Sequence, residues 1–221
     1  MEQQLWLIAG LGNPGRQYEK TWHNAGYMAL EVLSQRHAIP INKIRFKGLM
    51  GQGVIAGQKV ILLKPTTYMN LSGESLREAM TFYKIPPERT LVLYDDLDIP
   101  VGTVRMRPNG GTGTHNGMRS IVNILGLQSF PRLRIGIGPL PAHWELVNFV
   151  LSEIPQDKQG DFFAALTKVA DAVEWTLRDG LEQAMNRANS KGPANPKPLS
   201  PGKDPNPGEE PSLNKEPHGK A

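Results

Sequence analysis

Leu5-Trp6-Leu7-Ile8-Ala9-Gly10-Leu11-Gly12-Asn13-Pro14-Gly15 runs five apolar residues straight into glycine. A continuous apolar run of this length, stopped by a turn residue, reads as a strand buried on both faces, as in the middle of a parallel sheet. The pattern returns at Val60-Ile61-Leu62-Leu63, closed by Lys64-Pro65, at Leu91-Val92-Leu93-Tyr94, and from Leu133 to Ile137. Helical stripes fall between these runs. Met28, Ala29, Val32 and Leu33 share one face of a helix from about Asn24 to Arg36. Leu76, Ala79, Met80 and Tyr83 share another after Ser72, a candidate cap, and Pro86-Pro87 close it. A further helix is expected from about Asn116 to Leu125, and a helical region from Pro155 to about Ala188 with a break at Gly180. Val104 to Arg107 alternates, which predicts a strand with one polar face. Strands alternating with helices indicate an α/β fold: a single three-layer domain whose central sheet is flanked by helices. The short segment around Arg105 makes that sheet mixed but mostly parallel.

Composition narrows the function classes. The 221 residues contain no cysteine, which excludes disulfides, thiolate zinc sites and a cysteine nucleophile. No apolar run approaches a membrane span, and Met1-Glu2-Gln3-Gln4 lacks the basic start of a secretory signal, so a cytoplasmic location and no membrane partner are expected. Residues 1–188 read as the folded domain. From Asn189 to Ala221 the chain holds eight prolines and four glycines but only four apolar residues, Ala194, Leu199, Leu213 and Ala221. Such a composition buries too little surface to offset its ordering entropy, and 189–221 reads as a disordered, nearly neutral tail. The net charge of +4 is too small to argue for nucleic acid, but its distribution is uneven. No Asp or Glu lies between Asp98 and Glu145, an interval carrying Arg105, Arg107, Arg119, Arg132 and Arg134. All are arginine, whose guanidinium grips phosphate bidentately, so an anionic partner and a neutralised basic surface are both open readings.

Gly10 to Gly15 matches G-x-G-x-x-G after a strand, the dinucleotide-binding fingerprint. Three misfits count against it: Gly15 opens no helical stripe, Pro14 removes an N–H from the phosphate cradle, and the acid about twenty residues on, Glu31, falls mid-helix. The other reading is a tight strand-to-loop turn presenting Asn13. His23 stands at a helix start, either as a surface or capping residue or as a base kept neutral by the positive helix end. Asp95-Asp96-Leu97-Asp98 follows a strand, at the carboxyl edge where α/β sheets place their sites, and one of these acids can reach His23; a polar turn or a magnesium site remains open. Asn109-Gly110-Gly111-Thr112-Gly113-Thr114-His115-Asn116-Gly117 is a glycine-rich loop feeding a helix, with Asn116 as an N-cap or an oxyanion donor. Thr66-Thr67-Tyr68-Met69-Asn70-Leu71-Ser72-Gly73 repeats the theme, so loops at strand ends supply Asn13, Asn70 and Asn116, groups that donate and accept towards amide-rich ligands.

Taken in register, these strings resemble the bacterial-type peptidyl-tRNA hydrolases. The similarity runs from about Leu5 to Asn186. It is carried by Gly10–Gly15, Thr21-Trp22-His23-Asn24-Ala25-Gly26, Pro65–Gly73, Asp95–Gly102, Thr114-His115-Asn116-Gly117 and Arg132–Gly138. The resemblance implies hydrolysis of the ester joining a peptide to the terminal ribose of tRNA, by a His-activated water without a covalent intermediate, metal or cofactor, in a monomer. It implies His23 as the base, Asp95 as its orienting acid, and Asn13, Asn70 and Asn116 around the peptide, the water or the developing oxyanion. Met69, Tyr18 and His115 would line the substrate site, and Arg107 and Arg134 would clamp the 5′ phosphate of tRNA. Thr112 and Thr114 stand where the family more often has Ser or His and glycine, which bears on loop flexibility. A non-hydrolytic RNA-binding protein on this fold would lack His23 or Asp95, and both are present; an oxidoreductase would rest on Gly10–Gly15 alone.

Overall fold

The computed structural model describes residues 4–190. Its element order is β1 Leu5–Gly10, α1 Ala25–Arg36, β2 Lys43–Arg45, β3 Gly48–Ile55, β4 Gln58–Pro65, α2 Ser72–Tyr83, β5 Thr90–Pro100, β6 Val104–Arg107, α3 Asn116–Leu125, β7 Arg132–Gly138, α4 Leu146–Val150, α5 Gln156–Asp179 and α6 Leu181–Asn189. One seven-stranded sheet has the order β2-β3-β4-β1-β5-β7-β6. The four inner strands β4, β1, β5 and β7 are mutually parallel, while β2, β3 and β6 pair antiparallel at the edges. The sheet is therefore mixed, as Val104–Arg107 foretold. The β2–β3 edge has no such forewarning: Gly48, Gly51 and Gly53 break any apolar alternation, and only pairing with β4 makes the segment a strand.

Alternation along β1 sorts the layers. Ile8 joins Leu33, Leu62 and Val169 in the core under α1 and α5, whereas Leu7 packs with Ala79 and Met80 of α2, and Ala9 with Met118 and Ile121 of α3. Burial on both faces is what the unbroken apolar run of β1 required. α1 crosses the sheet where Gly10 meets Gly26, and a Cβ on either would strike main-chain atoms of the other segment or of Leu93. Gly10 thus serves helix–strand contact. Gly15 leads into a 3-10 turn, Arg16–Tyr18, and Glu31 pairs with Lys64, so none of the dinucleotide-binding features is present.

Two helix starts differ from expectation. Ser72 is the first helical residue, not the cap, because a 3-10 turn, Met69–Leu71, precedes it and its hydroxyl donates to the Met69 carbonyl at 2.9 Å. α3 is capped by His115 rather than Asn116. At the other end α6 runs through Asn189, so the folded body reaches one residue past the expected boundary at 188; the tail reading from Lys191 on lies outside the described residues. No helix among the described residues is long and apolar enough to cross a membrane.

Candidate active site

The carboxyl ends of β1 and β5, with the turns that follow them, build the centre of the site. Asp95 sits at 3% exposure where β5 leaves the core. His23 lies in a 3-10 turn, Trp22–Asn24, which is pinned from several sides. Trp22 stacks on Phe149 and meets Phe162 edge-on, with ring centroids 5.9 and 5.4 Å apart. The Asn24 carboxamide grips the main chain of Asn13: its Oδ1 accepts from Asn13 N–H at 2.8 Å and its Nδ2 donates to the Asn13 carbonyl at 3.1 Å. Asn24 is a positioning residue that the sequence did not single out, since an Asn beside a helix start looks like a cap.

Asp95 accepts from two histidines. His23 Nδ1 lies 3.0 Å from both carboxylate oxygens, and His115 Nε2 lies 3.0 Å from Oδ1. Both tautomers follow from the partners. Met118 N–H donates to His115 Nδ1 at 3.2 Å, so the His115 proton is on Nε2 and points at Asp95. The His23 proton is on Nδ1, facing the same carboxylate, which leaves His23 Nε2 as a free lone pair. That atom has no hydrogen-bond partner among the described residues and is not sealed from solvent. The donor atoms of His23, Asp95 and His115 lie within 4.8 Å of one another, close enough to suggest a metal. The main-chain N–H on His115 Nδ1 argues against it, because it demands a proton on the nitrogen that would have to ligate.

Charge follows this geometry. Burial disfavours the His23 imidazolium, but the Asp95 charge and hydrogen bond outweigh it and raise the ring's pKa above the ordinary histidine value. The positive helix start, expected to keep this ring neutral, is outweighed by Asp95. His115 goes the other way, since its burial exceeds what Asp95 returns and the pKa falls. Burial also works against the Asp95 carboxylate, yet both histidines hold it well below the usual range.

A cleft of about 320 Å³ opens over this centre. His23, Asp95, His115, Asn116, Arg107 and Arg134 all border it, as do α4 and the glycine-rich loop. Asn13, Tyr18, Met69 and Asn70 lie outside its lining. Asn13 is buried with its Oδ1 accepting from Met69 N–H at 2.9 Å, Met69 packs in the core, Asn70 is exposed on the Met69–Leu71 turn, and Tyr18 is half-buried. A Cβ on Gly117 would press on the Met69 sulfur, Leu11 and the His115 ring, so any larger residue there would have to displace them. α4 was not foreseen, although Leu146-Val147 and Phe149-Val150-Leu151 carry its apolar signal.

The arginines of the acid-free interval divide. Antiparallel pairing sets Arg105 opposite Arg134 and Arg107 opposite Arg132, so all four share one face. Arg132 is 1% exposed, and its guanidinium donates to the carbonyls of Gly110, Gly111 and Gln128 at 2.7, 3.1 and 2.8 Å; it anchors the glycine-rich loop. Arg134 Nε donates to Asp96 Oδ2 at 2.6 Å, and Asp98 lies 3.7 Å from its Nη2. Arg107 is exposed, and its guanidinium has no hydrogen bond or ion pair among the described residues.

Residues 7–196 match the family described as Peptidyl-tRNA hydrolase. The chain is 46% identical to a peptidyl-tRNA hydrolase of Alkaliphilus oremlandii over 84% of this chain and 100% of that protein. It is 48% identical to the one from Caldanaerobacter subterraneus, with the same coverage. The crystal structure of the Acinetobacter baumannii peptidyl-tRNA hydrolase superposes with a TM-score of 0.80 at 40% identity, covering 84% of this chain and 95% of that one.

Proposed function

Because the chain belongs to the peptidyl-tRNA hydrolase family, and its reaction is hydrolysis of peptidyl-tRNA with release of the tRNA, we propose that His23 is the general base and that Asp95 and His115 hold it in its working tautomer. One observation carries this reading: Nδ1–H of His23 faces a carboxylate that a second histidine also holds, so Nε2 is left as an open lone pair towards the cleft. Water bound there loses a proton to Nε2 as its oxygen bonds to the ester carbonyl carbon. The tetrahedral intermediate then breaks its bond to the ribose oxygen, which leaves with the proton held on Nε2. The products are the intact ribose hydroxyl of tRNA and the peptide acid, which gives its remaining proton to solvent and leaves as the carboxylate. Water is the nucleophile, so no covalent enzyme intermediate forms.

Asn116 is exposed at the first position of α3, on the cleft wall. Its amide, with the positive end of a ten-residue helix behind it, serves the oxyanion of the intermediate. Asn70 offers an exposed carboxamide to the peptide, and Asn13 keeps its Nδ2 for the same purpose while its oxygen fixes the Met69 turn. Tyr18 closes the wall beside Asn13. Met69 supports that wall from the core, and His115, with both ring nitrogens engaged, acts through Asp95. Arg107 and Arg134 receive the 5′ phosphate of tRNA. One copy of the chain supplies every group, which fits a monomer acting where translation takes place, the cytoplasm.

The test is single-turnover peptide release from peptidyl-tRNA, with aminoacyl-tRNA as control. His23→Ala should remove the chemical step and leave substrate affinity. A variant that still turns over at the wild-type rate removes His23 from the mechanism.

A further inference from the structure

β6 is the edge strand beside β7, and an edge strand leaves every second residue's peptide groups unpaired. Arg105 and Arg107 lie on one face of β6. Between them Met106 turns its side chain into the core, where the Thr176 hydroxyl lies 3.9 Å from its sulfur. The outward peptide groups of Met106 are not left to water. Its N–H donates to Asn189 Oδ1 at 2.8 Å, and Asn189 Nδ2 donates to its carbonyl at 3.0 Å. A planar carboxamide thus replaces the neighbouring strand that an edge lacks. Asn24 makes the same two-point grip on Asn13 beside the base. Asn189 is the last residue of α6, which is itself tied back by Arg187 to Asp179 at 2.6 Å.

We propose that Asn189 is a positioning residue for tRNA binding: it clamps the main chain between Arg105 and Arg107 and so holds Arg107 aimed into the cleft. The inference rests on Arg107 meeting the 5′ phosphate. Arg107 is the final residue of β6, followed by Pro108 and Asn109, and the next restraint downstream is the hold of Arg132 on Gly110 and Gly111. β7 holds the inner side of the strand through Arg107 opposite Arg132, and the clamp at Met106 is what holds its outer side. Removing it lets the strand end fray, and binding must then order Arg107 at its own expense.

The experiment compares full-length wild type, Asn189→Ala and the control Ser190→Ala, each with 5′-phosphorylated and dephosphorylated peptidyl-tRNA. For Asn189→Ala with phosphorylated substrate, KM should rise by about 2- to 12-fold, the cost of ordering one long side chain on binding, with kcat unchanged. With dephosphorylated substrate the variant should match wild type, and Asn189→Ala combined with Arg107→Ala should be no worse than Arg107→Ala. An equal KM rise with both substrates, or an unchanged KM, overturns the proposal. Hydrogen exchange at the Met106 amide tests the clamp apart from any phosphate. Exchange should accelerate in Asn189→Ala and not in Ser190→Ala, and an unchanged rate overturns the clamp. If the clamp stands but the losses from Arg107→Ala and dephosphorylation simply add, it is the phosphate reading that has failed, and with it the role given to Asn189.

Discussion

The His23–Asp95–His115 centre and the arginine face of β6 and β7 border one cleft, yet they are built on opposite plans. In the centre each residue is less than 9% exposed, and every ring or carboxylate atom but one has a partner. On the arginine face, Arg107 borders the cleft exposed and without an ion pair among the described residues, while its neighbours are engaged: Arg132 by carbonyls and Arg134 by Asp96. Chemistry at one proton needs a fixed lone pair in a dry setting, where a small field shift changes the rate. Holding a polyanion needs reachable charge, and the gain comes from counterion release. Adjacent residues of β5 reach the two groups, because the strand turns Asp95 to His23 and His115 and Asp96 to Arg134.

Substitutions can break this contrast, the largest first. His23→Ala should lower kcat by at least ~10²-fold with little change in KM, since general base catalysis supplies about 10²–10⁴-fold. His115→Ala should cost less, because it removes one of two donors to Asp95; a larger loss than in His23→Ala would mean the wrong ring was named as base. Asp95→Asn should lower kcat and also move the pH profile. The base works only when neutral, and Asp95 raises the His23 pKa, so wild-type kcat/KM should fall on acidification through a value above the ordinary 6.5. Asp95→Asn removes the raising influence, and the acid limb should shift to lower pH. A limb that stays in place would disconnect Asp95 from His23.

On the other side of the contrast, Arg107→Ala should weaken binding by roughly 1.5–3 kcal/mol, the worth of a charge-assisted contact, seen in KM rather than kcat. It should flatten the salt dependence of binding by a slope of about 0.7–0.9 for one lost phosphate contact, and dephosphorylated substrate should show little further loss. Arg134→Ala is a less clean probe, because it also strips Asp96 of its partner. Asp96→Asn sharpens the comparison with its neighbour: kcat should hold, and any KM change should stay within about 1 kcal/mol, the usual worth of a partly exposed pair. A kcat loss equal to that of Asp95→Asn would erase the division between the two faces of β5. The smallest effect is expected from truncation after Ser190, which should leave melting temperature and turnover unchanged on the compositional reading of the tail. Truncation after Ala188 removes Asn189 and should reproduce the Asn189→Ala phenotype.

Much of this was legible in the residues. The unbroken apolar runs of β1, β4 and β5 announced inner parallel strands, and Arg105's segment announced a mixed sheet. Gly180 marked the break between α5 and α6. β2, β3 and α4 were not legible, because short or glycine-broken segments take their structure from the partner they pair with. In the site, resemblance brought His23, Asp95, Asn116, Arg107 and Arg134 together, and the cleft holds all five. The positioning contacts of Asn24, Asp96, Arg132 and Asn189 are not legible in the sequence, since their work is done on main-chain groups or on a single guanidinium distant in sequence.

By itself the sequence determined what depends on local pattern and residue chemistry: an α/β sheet with buried central strands, a chain without thiol chemistry, an acid-free arginine interval, and loops carrying His and Asn at strand ends. Those properties follow from periodicity and composition, which act over a few neighbouring residues. Only the tertiary structure decided which nitrogen of each histidine carries its proton, which arginine is free, and what covers the edge of the sheet. The deciding hydrogen bonds join residues dozens of positions apart, His23 with Asp95, Arg134 with Asp96 and Asn189 with Met106, apart from the local one from Met118 that fixes His115. A directional bond of about 3 Å exists or not according to the packed backbone, and no reading of one segment alone contains the position of its partner.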